Sequence, residues 1–136
     1  MPKGNFLRNE ILAGKLGTGT ITEPATLSVA LYTSDPTAAD TGTEVTGGGY
    51  ARAATATDGT VWSADDADTW SNDVEIAFPV STGAWSSSAS ITHAAIRDAS
   101  TAGNLLWFGA LTTPRTVTAA GVTLRIAVGE ITISES

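Results

Sequence analysis

Leu27-Ser28-Val29-Ala30-Leu31-Tyr32 is the stretch on which the reading of the fold turns. Leu27, Val29 and Leu31 alternate with Ser28, Ala30 and Tyr32, the period of a half-buried strand with one face on a core. The same period returns further on, where Val74, Ile76, Phe78 and Val80 alternate with Asp73, Glu75, Ala77 and Pro79. Pro79 has no amide to give to a ladder, so this strand is expected at an edge, or to end there. Residues 91–96 and 105–111 read as further strands, the second apolar on both faces. Tyr50-Ala51-Arg52-Ala53 reads as another, with Tyr50 and Arg52 on one face and the alanines on the other. Near the end, Val122, Leu124, Ile126 and Val128 share one parity while Ile131 and Ile133 share the other. A strand changes face only by adding a residue, which predicts a bulge around Gly129.

Turn signals separate these runs: Ser34-Asp35-Pro36, Gly47-Gly48-Gly49, Asp58-Gly59, Ser81-Thr82-Gly83, Ala102-Gly103-Asn104 and Ala120-Gly121. Short strands broken in this way predict an all-β domain over residues 26–136, an antiparallel β-sandwich or jelly-roll-like barrel. Its longest loop is expected at residues 34–49. Residues 1–25 are expected to form an N-terminal helix or arm, a candidate docking segment. The helix is predicted over residues 6–16, with Asn5 as its cap and Gly14 and Gly17 as places to stop. Leu7 with Ile11, and Leu12 with Leu16, supply two apolar stripes.

Composition narrows the function more than it defines it. A chain of 136 residues suits one domain with an unassisted core, and the absence of Cys removes disulfides and thiolate–metal sites. Seven Lys and Arg against fourteen Asp and Glu leave a net charge of −7, a poor balance for binding nucleic acid. No apolar run approaches the ~18 residues of a membrane-spanning helix, and no secretory signal follows Met1. With 22 Thr and 12 Ser, the solvent faces of the strands can be polar without being charged.

Catalytic signatures are sparse. His93 is the only imidazole and lies in a strand-like run, with no nucleophile elbow anywhere in the chain; it reads as structural. Asp58, Asp65, Asp66, Asp68, Asp73 and Glu75 form an acidic stretch with no basic residue among them. Asp65, Asp66 and Asp68 are the candidate calcium ligands, since hard cations take oxygen, but the spacing matches no calcium-loop pattern and a solvated loop is the default. No cofactor is implied. Among the four tryptophans, Trp62 and Trp70 flank the acidic run and are expected at the surface, where they would serve a carbohydrate-binding module by stacking on sugar. Trp85 and Trp107 lie among strand residues and are expected in the core. Gly47-Gly48-Gly49 lacks the Lys-Ser/Thr and helix of a phosphate loop, and reads as a tight approach to a strand.

Taken in order, several of these segments resemble a group of small virion structural proteins of tailed bacteriophages. The series begins with residues 27–33, Ser34-Asp35-Pro36 and Gly42-x-Glu44-Val45-x-Gly47-Gly48-x-Tyr50-Ala51-Arg52. It continues through Phe78-Pro79, Thr82-Gly83-x-Trp85, Ile91-Thr92-His93, Ile96-x-Asp98-Ala99 and Gly103-Asn104-Leu105-Leu106. Gly109-Ala110-Leu111-Thr112 and Pro114 complete it, over about residues 26–133. The resemblance implies a non-enzymatic β-sandwich or jelly-roll protein of the virion, assembled as a homotrimer. Its partners would be the major capsid protein, if it decorates (cements) the shell, or tail proteins, if it belongs to a tail fibre. A small domain without a fibrous segment weighs toward the shell. Residues 1–15 carry a charge of +2 and the remainder −9, so the basic segment is expected either to dock on an acidic neighbour or to cover one end of the sheet. The interface candidates are Phe6, Leu7, Arg8, Ile11, Tyr50 and Arg52.

Overall fold

The structure, a computed structural model, describes residues 1–134. Helix α1 (Asn5–Lys15) is followed by strands β1 (Leu27–Tyr32), β2 (Ala53–Thr55), β3 (Trp62–Ala64), β4 (Thr69–Asn72), β5 (Ile76–Ala77), β6 (Ile91–Arg97), β7 (Leu105–Arg115), β8 (Arg125–Ile126) and β9 (Thr132–Ser134). All pairings are antiparallel, in a four-stranded sheet ordered β2-β1-β6-β7, a three-stranded sheet β3-β4-β9 and a pair β5-β8. The expected all-β, sandwich-like architecture with one short N-terminal helix is what forms.

Val29, Leu31, Ile91 and Ile96 of the four-stranded sheet meet Ile76 and Ile126 of the β5–β8 pair, and Phe78 and Leu124 next to that pair, in the main core, with Trp62 of β3 and Ile131, just before β9, closing it. β1 is not half-buried as its alternation suggested, because both its faces are covered. Ala30 and Tyr32 join Ala95, Leu105 and Phe108 in a second cluster on the opposite face, with Ala38 of the 34–49 loop packed against it. Alternation marks the strand correctly but cannot reveal a loop that folds over its far side.

Several local expectations are corrected. The run at 74–80 shortens to Ile76–Ala77: Ile76 and Phe78 are buried, while Val74 and Val80 stay in solvent. β2 starts at Ala53, so residues 50–52 precede it rather than form a strand. The parity change near the C-terminus comes from a turn, not a bulge: Gly129 adopts φ +75°, the Glu130 amide donates to the Ala127 carbonyl, and the chain passes from the β5–β8 pair to the β3-β4-β9 sheet. The ladder irregularities lie between β6 and β7, where Ile96 faces Trp107 but Arg97 faces Leu105, leaving Leu106 as the extra residue.

The N-terminus is part of this body. The Gly4 amide donates to the Leu106 carbonyl and the Phe108 amide to that of Pro2, so residues 1–4 run along β7, the outermost strand of its sheet, and cover its free edge. Gly4, not Asn5, is the cap of α1, with no side-chain hydrogen bond. Backbone anchoring sets the helix start, since the Asn5 amide is held by the Ala38 carbonyl at 2.7 Å. Leu7 enters the main core and Ile11 packs against it.

Candidate functional site

Several residues that carry the resemblance, Glu44, Tyr50, Arg52 and Asp98 among them, gather around two arginines. Arg52 donates through Nε and Nη2 to the two oxygens of Glu44, at 2.7 and 2.8 Å. Its Nη1 donates to the carbonyls of Ala99 and Ala102 at 2.9 and 2.8 Å. The Tyr50 hydroxyl donates to Glu44 and accepts the Leu31 amide at 2.9 Å. Arg97, buried at the end of β6, holds both oxygens of Asp40, the Tyr32 hydroxyl and the Gly103 carbonyl. Asp98 in turn accepts the backbone and side-chain N–H groups of Asn104. These bonds tie the 34–49 and 98–104 loops to the sheet. Both guanidinium groups are paired with a carboxylate, Arg52 with Glu44 and Arg97 with Asp40.

Electrostatics agree with that reading. Hydrogen bonding to Glu44 raises the Arg52 pKa against the opposing effect of burial. Burial works against the Arg97 charge, but the hydrogen bonds and charges of Asp40 and Tyr32 outweigh it and raise its pKa. Burial pushes both phenols, Tyr32 and Tyr50, above their usual range. Tyr50 and Arg52, expected at an interface, are thus engaged within the chain.

The acidic stretch is spent on turns. The Asp58 carboxylate accepts the Thr60 hydroxyl and amide, which hold its pKa below the usual carboxylate range. Asp66 accepts the amides of Asp68 and Thr69, with the same direction of shift. Asp65 accepts the Ser71 hydroxyl, and Asp68 that of Thr69. Among the described residues no three Asp, Glu or His side chains gather into a cation cage, so Asp65, Asp66 and Asp68 are not brought together. His93 sits in β6 with its Nδ1 shared with the Thr92 hydroxyl at 2.8 Å.

The tryptophans fall differently from their sequence contexts. Trp85 is fully buried, edge-on to Tyr50 and Phe78, with its indole N–H donated to the Gly48 carbonyl at 3.0 Å. Trp62, expected at the surface, is only 8% exposed and gives its N–H to Thr55 Oγ1. Packing of β3 against the main core explains it. Trp70 is 47% exposed. Trp107 is half-buried rather than in the core, and its indole N–H has no partner among the described residues. Trp62, Trp70 and Trp107 converge on a groove of about 510 Å³ at the mouth between the four-stranded sheet and the β3-β4-β9 sheet. Leu27, Ile96 and Ile133 continue its apolar wall, and among the described residues Glu23 supplies the one charge and no basic side chain lines it. Such a volume and lining are those of a binding groove. Trp107, Ile133 and Glu23 carry no sequence signal for this, since only the sheet pairing brings them beside Trp70.

α1 shows two faces. Leu7 and Ile11 turn inward, while Phe6 and Arg8 face solvent with Leu12 and Leu16. No described helix is long and apolar enough to cross a membrane.

A family model described as Podophage GP4 fiber I protein gp80 matches residues 2–134 of the chain. Among curated proteins none matches it.

Proposed function

The chain belongs to the family of the podophage GP4 fiber I protein gp80, a family of tailed-phage virion structural proteins, and from that premise we propose that it is a homotrimeric tail-fibre component held by tail proteins. The match over residues 2–134 carries this reading. It favours the tail over capsid decoration, against the weight that small size alone gave to a shell ornament bound to the major capsid protein. A non-enzymatic role agrees with the site chemistry, because the densest polar cluster is a set of closed ion pairs holding two loops. The carbohydrate-binding reading loses support from the burial of Trp62, one of the two rings on which it stood. Repeated weak contacts made by a symmetric oligomer would sum by avidity on the particle.

Quantitative mass spectrometry of purified virions tests the placement. A fibre component is expected at a copy number comparable with other tail proteins. A copy number comparable with the major capsid protein would return the protein to the shell.

A further inference from the structure

Two unsatisfied features of the chain are complementary. The first is a ridge on α1. Arg8 and Leu12 line one side of the helix at four-residue spacing, and Leu16, its C-cap residue, follows four further on. Leu12 is 57% and Leu16 76% exposed, although Leu7 and Ile11 of the other face are already packed. The second is the indole-walled groove of Trp62, Trp70 and Trp107, whose one charge among the described residues is the Glu23 carboxylate. The ridge is apolar with cations, Arg8 on its line and Lys15 beside it. The groove is apolar with an anion. Charge division along the chain has the same sense, +2 in residues 1–15 against −9 elsewhere.

We infer that the Arg8–Leu12–Leu16 ridge of one copy seats in the groove of the next copy, Leu12 and Leu16 against the indoles and Arg8 toward Glu23. This rests on the oligomer reading above and names the surfaces that build it. Leucine side chains leave water for an apolar wall, and a guanidinium beside indole faces and a carboxylate gains cation–π and ionic attraction. Each chain offers one ridge and one groove, and the two are different surfaces. The contact is therefore heterologous: it repeats head to tail and closes into a ring when the rotation per copy is a third of a turn.

Sedimentation equilibrium on the full chain, with circular dichroism as a fold control, tests it. The wild-type protein is expected to sediment as a trimer, with Trp70 emission shifted to the blue as the oligomer forms. L12S/L16S, confined to the helix surface, is expected to raise the dissociation constant at least about tenfold, with unchanged circular dichroism, by losing apolar burial. W70A is expected to do the same from the groove side. R8E and E23R each weaken assembly, and the double variant R8E/E23R restores it. A wild-type protein monomeric at every concentration would overturn the oligomer reading and this inference together. A trimer indifferent to L12S/L16S and W70A would overturn this inference alone. So would a groove that takes a saccharide from a glycan array through Trp70 while those leucine substitutions leave the trimer intact.

Discussion

Arg97 and Asp40 meet through two parallel hydrogen bonds, Nη1 to Oδ1 and Nη2 to Oδ2, each 2.7 Å long. The guanidinium is buried, whereas the carboxylate side chain keeps 36% of its surface. Asp40 itself takes a positive φ of 57°, so the loop accepts some strain to deliver its carboxylate. Removing Asp40 leaves a buried cation facing only the neutral Tyr32 hydroxyl and the Gly103 carbonyl. D40A is expected to cost about 2 kcal/mol, less than the ~3–5 of a wholly buried pair because one partner is part-solvated. R97M in the same background should recover part of that loss by removing the stranded charge. Urea midpoints of D40A, R97M and the double variant check the cycle, and a D40A midpoint equal to wild type would contradict the assignment.

Gly48 is the second position where the backbone decides. It lies at φ +55°, and a Cβ there would run into the carbonyls of Gly83 and Ala84. Its own carbonyl accepts both the Thr82 amide and the Trp85 indole N–H. G48A is expected to destabilise by well over ~1 kcal/mol, since neither its conformation nor its neighbours can accommodate a methyl group. G47A has no comparable obstruction, with its nearest non-neighbouring atom at 3.9 Å, and is expected to cost less at a similar φ of +77°. Thermal melting of the two variants reads the difference directly.

The contrast between Gly48 and Trp107 shows what the sequence made legible. Three consecutive glycines before an aromatic pointed to a tight, positive-φ approach, because only local sterics were involved. Strand positions followed likewise from period-two patterning at Leu27, Val29 and Leu31. Trp107 depended instead on where a distant sheet lay: its partners Trp70 and Ile133 are far away in sequence, and no local pattern records that two sheets part at that edge. Asn5 failed as a cap for the same reason, since Ala38 and Leu106 fix the helix start from other parts of the chain. Arg97, after Ile96, reads from the sequence as a partner for some loop carboxylate, and only the fold identifies it as Asp40, with the Gly103 carbonyl of a second loop beside it.

α1 supplies a test on a single element. L7A removes a buried side chain from the main core and is expected to cost about 2–3 kcal/mol, the lower part of the range for leucine because Leu7 lies near the surface of that core. L12A replaces a side chain that is 57% exposed by a better helix former and is expected to leave the stability of the isolated chain within about 0.5 kcal/mol. Equal losses for the two would mean that the helix does not dock by its Leu7–Ile11 face. Deleting the helix cannot separate docking from folding, because residues 1–4 also cover the β7 edge.

Alkaline titration addresses the two tyrosines, the only ones in the chain. Burial is the largest influence on both, and it raises both folded pKa values above the unfolded value. Below about pH 10 the phenols are protonated in both states, and their contribution to stability is fully present. As pH rises from there toward the folded values, the unfolded chain releases protons that the folded chain retains, so stability falls. Tyrosinate absorbance is therefore expected to stay silent beyond pH ~10 and to rise together with the loss of circular dichroism. Y50F keeps the ring against Phe78 and Trp85 but leaves the Leu31 amide without its 2.9 Å acceptor, at a cost of about 1–2 kcal/mol at neutral pH. It should also flatten the alkaline slope, having one fewer phenol to ionise. Tyrosinate forming near pH ~10 in a chain that remains folded would contradict the burial of these hydroxyls and the loop clamp built on them.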